Sequence, residues 1–401
     1  MHSLDLMDRL PSQDTLDRIL STLQHCWQST QVTFDTNVIQ NDPILKSFVV
    51  NSNNNDALDT NTTTTTTTTT TITIPAGGFG GGPGQLAHCA TSYAAILALS
   101  IIASVSPMPN SVSDYLTQIR QPLYAWYLSL QQPDGGFRMH HDGEVDVRAT
   151  YTMLAVTSLL NITTPQLTQH AASYIASCQT YEGGFGGEPF SEAHGGYAFC
   201  AVAALQLLNS LKDAVVDIEN LRGWLARRQM SFEGGFAGRS NKLADGCYSF
   251  WQGGAMAILS ARYSTTDDGP RTSSTTGCLY HPHQDCWLSI LPSSQSAQLP
   301  PPPKLLLFDE KMLQRFILLC AQDPNGGLRD KPSKPRDFYH SCYNLSGLSV
   351  TQHYCSSKNE NNDDDDSFGH AIFSRVAATH PLFNIRIDRA TPILQQFYNL
   401  E

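Results

Sequence analysis

Apolar and small residues recur along this chain in blocks of helical length, and a pair of glycines precedes each block. The pairs begin at residues 77, 135, 183, 234 and 326, so that successive pairs are 58, 48, 51 and 92 residues apart. An aromatic residue follows each pair after 14 to 17 positions and opens an apolar run; these residues are Tyr93, Tyr151, Tyr197, Tyr248 and Tyr343. Because Gly-Gly ends one helix and permits a tight loop, the pattern predicts repeated helical hairpins. Such hairpins either stack into an open solenoid or close into a ring.

Three stretches interrupt this pattern. Residues 1–74 could form a short amphipathic helix at 14–28, but Asn-rich and Thr-rich tracts follow, and we expect this segment to be largely disordered. The Ser-, Thr- and Pro-rich stretch at about 262–304 lengthens the last step of the repeat and predicts a surface insertion. Residues 356–368 predict an acidic loop. The repeated domain is therefore expected to occupy residues 75–401.

Composition narrows the possible partners. The chain has 401 residues, 41% of them apolar, and a net charge of −11, which argues against nucleic acid or an anionic membrane surface as the main partner. The longest apolar run, residues 94–105, is too short to cross a bilayer, so no direct membrane insertion is expected. Ten cysteines without a regular framework, behind a start that lacks a signal-peptide pattern, predict reduced thiols and a cytoplasmic location.

Four pairs of polar or aromatic residues stand three positions apart at equivalent points of different repeats. They are Arg148/Tyr151, His194/Tyr197, Tyr248/Trp251 and His340/Tyr343. Residues three apart share one helical face. If the hairpins close into a ring, these helix starts converge on one mouth and the eight side chains line one cavity. Each pair could instead be a separate capping or packing contact, but four pairs in register favour the shared cavity.

The stretch 238–251 combines several kinds of chemistry. Arg239 and Lys242 could bind a phosphate, and Asp245 with Cys247 could bind a metal, although an Asp is also common at a helix start. The best third donor is His340. One oxygen, one sulfur and one nitrogen ligand would leave a fourth position open, as in catalytic rather than structural zinc sites.

These segments resemble the protein farnesyltransferase β-subunit family. The resemblance continues through residues 143–148, 192–197, 330–340 and 379–385, in the family's order, and covers roughly 75–260 and 305–390. It implies an all-α fold, the α/α toroid of prenyltransferase β subunits. It also implies transfer of a farnesyl group from farnesyl diphosphate to the cysteine of a C-terminal CaaX motif in proteins such as small GTPases. The family works as a heterodimer, so we expect activity only with an α subunit.

The resemblance assigns roles to individual residues. Asp245, Cys247 and His340 would hold one Zn²⁺, and Asp330 would bind Mg²⁺ on the leaving diphosphate. Tyr339 and Arg148 would contact the peptide. The residues it places against farnesyl diphosphate are His194, Gly195, Gly196, Tyr197, Cys200, Arg239, Ser240, Asn241, Lys242, Tyr248, Ser249, Phe250, Trp251, Arg148, Tyr151 and Tyr343.

Three alternatives are weaker. A geranylgeranyltransferase type I β subunit would share the chemistry, but Asp330 and the bulky Tyr343 favour the fifteen-carbon donor. A non-catalytic zinc-binding scaffold would result if the family's N-terminal helices, with their site-lining Trp, have no counterpart in residues 1–74; Trp27 is a poor candidate. A terpene cyclase would need an Asp-rich motif inside the barrel, whereas Asp363–Asp366 is expected in a solvated loop. The Cys278, His281, His283 and Cys286 cluster in the insertion is expected to be coincidental.

Overall fold

The computed structural model describes residues 13–47, 71–105, 109–211, 216–263, 307–354 and 376–398. The chain divides into two compact units. The N-terminal unit comprises Pro11–Tyr174 and Pro392–Glu401, and the C-terminal unit comprises Ile175–Thr391. Within the described residues, no helix combines the length and the apolar character that crossing a membrane requires.

The N-terminal unit begins with a helix and a two-stranded ribbon. Helix α1 (Gln13–Cys26) leads into strand β1 (Trp27–Asp35) and the short helix α2 (Thr36–Asn41). Strand β2 (Thr71–Phe79) runs antiparallel to β1, with Trp27 opposite Phe79. Helix α1 confirms the amphipathic helix expected at 14–28, but the ribbon was not expected. The boundary drawn at residue 75 falls inside β2, so ordered structure begins earlier than predicted; the Thr-rich tract lies outside the described residues.

A buried carboxylate ties the segment after α2 to the helices of this unit. These helices are α3 (Cys89–Val105), α4 (Pro109–Leu130), α5 (Val147–Leu159) and most of α6 (Ala171–Ser177). Asp42 is fully buried, and its Oδ1 accepts from the backbone N–H groups of Ile44 and Leu45 at 2.9 and 3.0 Å. Its Oδ2 accepts from the hydroxyls of Tyr124 on α4 and Thr164. Because all these donors converge on one carboxylate, its burial is compensated by hydrogen bonds.

The C-terminal unit is built on three apolar helices. Helix α7 (Gly195–Leu207) and helix α11 (Phe338–His353) both pack against α9 (Tyr248–Tyr263). The last helix is α12 (Ile387–Tyr398), whose residues up to Thr391 belong to this unit. The shorter segments between them are α8 (Ile218–Ala226) and α10 (Glu310–Arg315), which continues as a π-helical turn at Phe316–Ala321. Small residues permit close packing: a Cβ on Gly347 of α11 would lie 2.3 Å from the Cβ of Ser249 on α9.

The predicted hairpin repeat is confirmed for four of its five glycine pairs, whereas the pair at 77 lies inside strand β2 and does not end a helix. The first glycine of the pairs at 135, 183, 234 and 326 has a positive φ of 93°, 99°, 79° and 87°. A Cβ on Gly183 would lie 2.3 Å from the carbonyl oxygen of Asn220, so this approach requires glycine. Seven positions after each of these glycines the chain again adopts a left-handed conformation, at Asp142, Phe190, Asn241 and Ser333. Each of these loops then delivers the next apolar helix.

The predicted insertion and acidic loop fall largely on residues that the description does not include. Helix α9 extends to Tyr263, so the insertion expected from about residue 262 begins where that helix ends. Residues 264–306, with the Cys278–Cys286 cluster, and residues 355–375, with the Asp363–Asp366 run, lie outside the described residues. Both expectations therefore stay predictions.

Candidate metal centre and anion-binding loop

Asp245, Cys247 and His340 meet at the start of two adjacent helices of the C-terminal unit. Their ligand atoms all lie within 4.8 Å of one another, and His340 Nε2 lies 3.3 Å from Asp245 Oδ1. Cys247 is buried, while Asp245 and His340 are half-buried. The sequence predicted that these residues would come together, and the geometry confirms it. Since Asp245 and Cys247 open α9 and His340 lies in the first turn of α11, the packing of α9 on α11 forms the cluster.

Local hydrogen bonds orient two of the three donors. Asp245 Oδ1 accepts from the backbone N–H of Cys247 at 2.9 Å, so this carboxylate also caps the start of α9. Asp337 caps α11, because its Oδ1 accepts from the backbone N–H of His340 at 2.7 Å. Its Oδ2 lies 2.7 Å from His340 Nδ1. A proton on Nδ1 would donate to Asp337 and leave the Nε2 lone pair facing Asp245.

The donor set fits zinc. One carboxylate, one thiol sulfur and one imidazole nitrogen form a mixed O, S and N set of three, the number that protein side chains supply to catalytic zinc. Burial, reinforced by the neighbouring Asp245 carboxylate, raises the pKa of the Cys247 thiol. A bound divalent cation is therefore the charge that would stabilise the thiolate at this position.

The loop 238–243 carries the predicted phosphate-binding cations. Ala237 and Ala244 pair as an isolated antiparallel bridge, so the residues between them form a closed loop directly before the metal donors. Arg239 Nη1 forms an ion pair with Glu192 at 3.1 Å, and Lys242 is exposed. A Cβ on Gly238 would lie 2.0 Å from the ring of Tyr248. Glycine at 238 therefore lets the loop lie against that ring.

His194 and Tyr248 form the second half of the predicted anion site. His194 Nδ1 accepts from the backbone N–H of Gly196 at 3.0 Å, which caps α7 and leaves the proton of a neutral ring on Nε2. Nε2 lies 2.8 Å from the Tyr248 hydroxyl oxygen and can donate to it. Burial raises the pKa of Tyr248, so the phenol keeps its proton and can donate to a third group. The backbone N–H of Gly195 donates to Gly238 at 2.8 Å and joins the two halves.

An aromatic cluster lies beside these groups. The ring centroids of Trp251 and Tyr343 are 4.3 Å apart, and those of Tyr339 and Tyr343 are 4.8 Å apart. Trp251 Nε1 donates to the Tyr339 hydroxyl at 3.2 Å, and Phe199, which the sequence did not single out, packs edge-on against Trp251. The structure thus brings the predicted residues Trp251, Tyr343 and Tyr339 together into one apolar wall.

Other predicted residues occupy different surroundings. Ser249, Phe250 and Cys200 are buried in the packing of α7, α9 and α11. Asp330 Oδ1 and Oδ2 each lie 2.6 Å from Lys331 Nζ, and the Asp330 carbonyl accepts from the backbone N–H of Gly246 at 2.7 Å. This bond links the Asp330 segment to the metal donors. The contacts with farnesyl diphosphate and magnesium that are predicted for these residues stay predictions.

Arg148 and Tyr151 belong to the N-terminal unit. Arg148 lies at the start of α5 and forms ion pairs with Asp146 and, at 3.3 Å, with Glu144. Tyr151 is buried, and its hydroxyl lies 3.1 Å from that of Tyr93. Their predicted place on the rim of one cavity with the other three pairs stays a prediction.

Two residues at the site, Asp337 and Glu192, were not predicted from the sequence. Asp337 has a visible signal, because an Asp three positions before a helical His is typical of an N-cap that also reaches the ring. Glu192 has none, since its partner Arg239 lies 47 positions away along the chain. Long-range pairs of this kind cannot be identified without the fold.

The chain is similar in sequence to a known protein domain and to known proteins. The prenyltransferase alpha-alpha toroid domain matches residues 1–385. The chain is 40% identical to protein farnesyltransferase subunit beta of Pisum sativum over 343 residues, which cover 79% of the chain and 78% of that protein. It is 44% identical to the same subunit of Arabidopsis thaliana over 299 residues, 69% of the chain and 60% of that protein.

A solved structure supports the fold. Candida albicans protein geranylgeranyltransferase-I complexed with GGPP is similar with a TM-score of 0.54 over 80% of each chain, at 18% sequence identity. At that identity the likeness concerns the fold alone. The match to the toroid domain includes residues 1–74, which the resemblance read from the sequence does not cover.

Proposed function

Since this chain belongs to the protein farnesyltransferase β-subunit family, with its α–α toroid fold, we propose that it is the zinc-dependent catalytic subunit of a farnesyltransferase. The predicted fold class and family are thereby confirmed. The observation that carries the proposal is the convergence of Asp245, Cys247 and His340 beside the loop 238–243. A metal corner next to a cationic loop suits a reaction in which a thiol attacks carbon and a diphosphate leaves.

The metal donors define the acceptor side of the proposed reaction. Asp245, Cys247 and His340 would hold zinc, and zinc would supply the positive charge that keeps a substrate cysteine as its nucleophilic thiolate. Asp337 holds the His340 ring by its Nδ1 and so directs Nε2 toward the other donors. Tyr339 is 49% exposed and lies beside His340, and it would contact the peptide that carries the cysteine.

The anion-binding residues define the donor side. As the bond between C1 of the isoprenoid and the diphosphate oxygen breaks, negative charge accumulates on the diphosphate and needs fixed hydrogen-bond donors and cations. Because His194 Nε2 can donate a hydrogen bond to the Tyr248 hydroxyl oxygen, the hydroxyl proton of Tyr248 stays available to donate to the diphosphate. Arg239 and Lys242 provide the positive charges. Arg239 must exchange Glu192 for the diphosphate on binding.

Two further features concern the binding of the isoprenoid chain and of a magnesium ion. The wall formed by Trp251, Tyr343 and Tyr339 suits an isoprenoid chain, and the aromatic faces suit cationic character at C1. We propose that Asp330 is a magnesium ligand on the leaving diphosphate, in which case the metal displaces the ammonium of Lys331. Asp330 and the bulky Tyr343 favour farnesyl over the longer geranylgeranyl donor.

The proposal includes the partners that the resemblance implies. The active enzyme would be a heterodimer with an α subunit, located in the cytoplasm, that modifies CaaX-terminated proteins. The family membership of the chain supports this assignment.

Co-expression with a farnesyltransferase α subunit tests the proposal. We expect the purified complex to contain about one zinc per heterodimer and to transfer farnesyl to a peptide ending in CaaX, and not to the same peptide with Ser in place of Cys. Cys247→Ala should lose zinc and transfer together. Stoichiometric zinc without transfer from either donor would favour a scaffold, and transfer from geranylgeranyl diphosphate alone would favour the type I alternative.

A further inference from the structure

One position of the repeat carries a charge where the other repeats carry an apolar residue. In four repeats the residue before the Gln that opens the Gly-Gly loop accepts an equivalent backbone hydrogen bond, from Arg138, Gly186, Ala237 and Arg329. In three of them this residue is buried and apolar, namely Leu130, Cys178 and Ala321. In the remaining repeat it is Arg228, which is only 9% exposed. A core position of the fold therefore holds a guanidinium in a single case among the four.

The surroundings of Arg228 do not neutralise its charge. Its guanidinium carbon lies 5.1 Å from the ring centroid of Trp224, and Nη1 donates to the Ser240 hydroxyl at 3.0 Å. Among the described residues, the buried Nε has no hydrogen-bond partner, and no carboxylate lies within ion-pair distance of the guanidinium. Burial lowers the pKa of Arg228, while Glu182 opposes that change, and a guanidinium stays charged in either case. Since burying an unpaired charge is costly, this arrangement calls for a function.

The acceptor of the Arg228 hydrogen bond lies in the anion-binding loop. Ser240 stands between Arg239 and Asn241 in the loop that Ala237 and Ala244 close. Asn241 has a φ of 59°, so the chain reverses direction immediately after Ser240. The Ser240 side chain thus fixes the tip of the loop, with the cations Arg239 and Lys242 on either side of it.

We propose that Arg228 is a positioning residue for diphosphate binding. By donating to Ser240, it holds the loop 238–243 in the conformation that presents Arg239 and Lys242 to the anionic end of the substrate. Trp224 supports the guanidinium from one face, so the donor stays in place when the substrate is absent. The inference rests on the proposed function of this loop and adds a residue that does not itself touch the substrate.

The test uses the heterodimer with an α subunit, with farnesyl diphosphate and inorganic pyrophosphate as probes. Arg228→Met and Ser240→Ala are each expected to raise the KM for farnesyl diphosphate and the Ki of pyrophosphate about three- to tenfold, the size of the net contribution of one ordinary hydrogen bond. The peptide KM and the zinc content should not change. Because both substitutions remove the same contact, the double variant should be no weaker in binding than Arg228→Met.

Two further variants separate positioning from general effects. Ser240→Thr keeps the hydroxyl and should raise the KM less than Ser240→Ala does. Arg227→Met removes an adjacent, exposed cation that does not contact Ser240, and it should leave the KM unchanged. If Arg228→Met fails to fold, Arg228→Gln replaces it in the double-variant comparison with Ser240→Ala.

Additive effects of Arg228→Met and Ser240→Ala, or an unchanged KM in Ser240→Ala, would overturn the inference. If the wild-type complex transferred neither a farnesyl nor a geranylgeranyl group, the proposed function would be overturned instead. In that event pyrophosphate binding, measured by calorimetry, tests Arg228 separately: equal affinity in wild type and Arg228→Met, or none in wild type, would contradict the positioning role.

Discussion

A hydrogen bond from His340 Nδ1 to Asp337 decides which nitrogen of the imidazole faces the other two candidate metal ligands. The ring could otherwise turn, or carry its proton on Nε2, and in either case it would be a poor ligand. Outer partners of metal-binding histidines commonly matter about 10- to 100-fold for metal affinity. Asp337 belongs to α11 only as its cap, so one residue both starts the helix and directs the ligand.

Asp337→Asn tests this role. The amide keeps the size of the side chain but can no longer accept as a carboxylate, so zinc affinity should fall about 10- to 100-fold, measured by competition with a chromogenic chelator. The matched control is Asp309→Asn, since Asp309 caps α10 through the backbone N–H of Met312 at 2.9 Å. Equal zinc affinity in the Asp337 variant and the wild type would contradict the assignment.

The ion pair between Arg239 and Glu192 predicts competition with the substrate. Both side chains are partly exposed, at 41% and 60%, so the pair itself contributes little to stability. Glu192→Gln should nevertheless free Arg239 and lower the Ki of inorganic pyrophosphate about two- to fivefold, with the difference shrinking at high salt. Glu219→Gln is the control, because Glu219 pairs with Arg222 at a comparable distance of 3.1 Å on α8. A Ki that rises, or does not depend on residue 192, would speak against the competition.

At the scale of elements, the site depends on how closely α9 and α11 approach. Cys247 opens one helix and His340 lies in the other, and the glycine at 347 removes the side chain that would separate them. The contact on the opposite side is backbone and Cβ of Ser249, which cannot move aside as a flexible side chain would. Packing between two helices therefore controls the geometry of the metal donors.

Gly347→Ala and Gly253→Ala form a matched pair of helical substitutions. The added methyl at 347 would lie 2.3 Å from Ser249, and overpacking of this kind costs about 1–3 kcal/mol and should weaken zinc retention. The added methyl at 253 has its nearest neighbour, a Val350 methyl, at 3.6 Å, and should be neutral or stabilise α9 by up to about 1 kcal/mol. Thermal unfolding and zinc release check both variants. Similar behaviour of the two would show that helix approach does not control the site.

The elements also show what a sequence can and cannot supply. Gly-Gly spacing and the aromatic that follows it predicted the hairpin repeat, because both are local requirements of backbone geometry. The β1–β2 ribbon was missed because its strands are separated by the Thr-rich tract, and because pairing such as Trp27 with Phe79 is a tertiary property. The candidate metal ligands were found from ligand chemistry and from the family resemblance, whereas no spacing reveals the contacts of Glu192 with Arg239 and of Arg228 with Ser240.

For the whole molecule, buried polar groups connect the fold to solution conditions. The Asp42 carboxylate accepts hydrogen bonds from four donors. His380, by contrast, is buried in the C-terminal unit and its ring accepts one hydrogen bond. Its Nδ1 accepts from the backbone N–H of Leu382 at 3.1 Å, and within the part of the chain that the structure describes Nε2 has no hydrogen-bond partner. Burial lowers the pKa of His380 to about 3. The ring is therefore neutral in the folded protein throughout the physiological range.

This burial makes stability depend on pH. Below about pH 6.5, the ordinary value for His, the unfolded chain binds a proton at His380 that the folded protein does not bind. The stabilising contribution is complete above pH 6.5 and is lost as the pH falls toward 3, by about 1.4 kcal/mol per pH unit for this one group. His380→Asn keeps an acceptor for the Leu382 N–H and removes the titration. We expect the urea midpoint of the wild type to fall more steeply than that of the variant between pH 6.5 and 5.

His170→Asn provides the control for removing a histidine. His170 is exposed and has a φ of 61°, a conformation that Asn tolerates, so its replacement should leave the fold and the pH slope of the midpoint as in the wild type. A shallower slope in His380→Asn and not in His170→Asn would assign the acid sensitivity to the buried ring. Parallel slopes in all three proteins would mean that His380 is protonated, or solvated, in the folded state, and the packing of residues 379–385 around it would then have to be looser than the geometry shows.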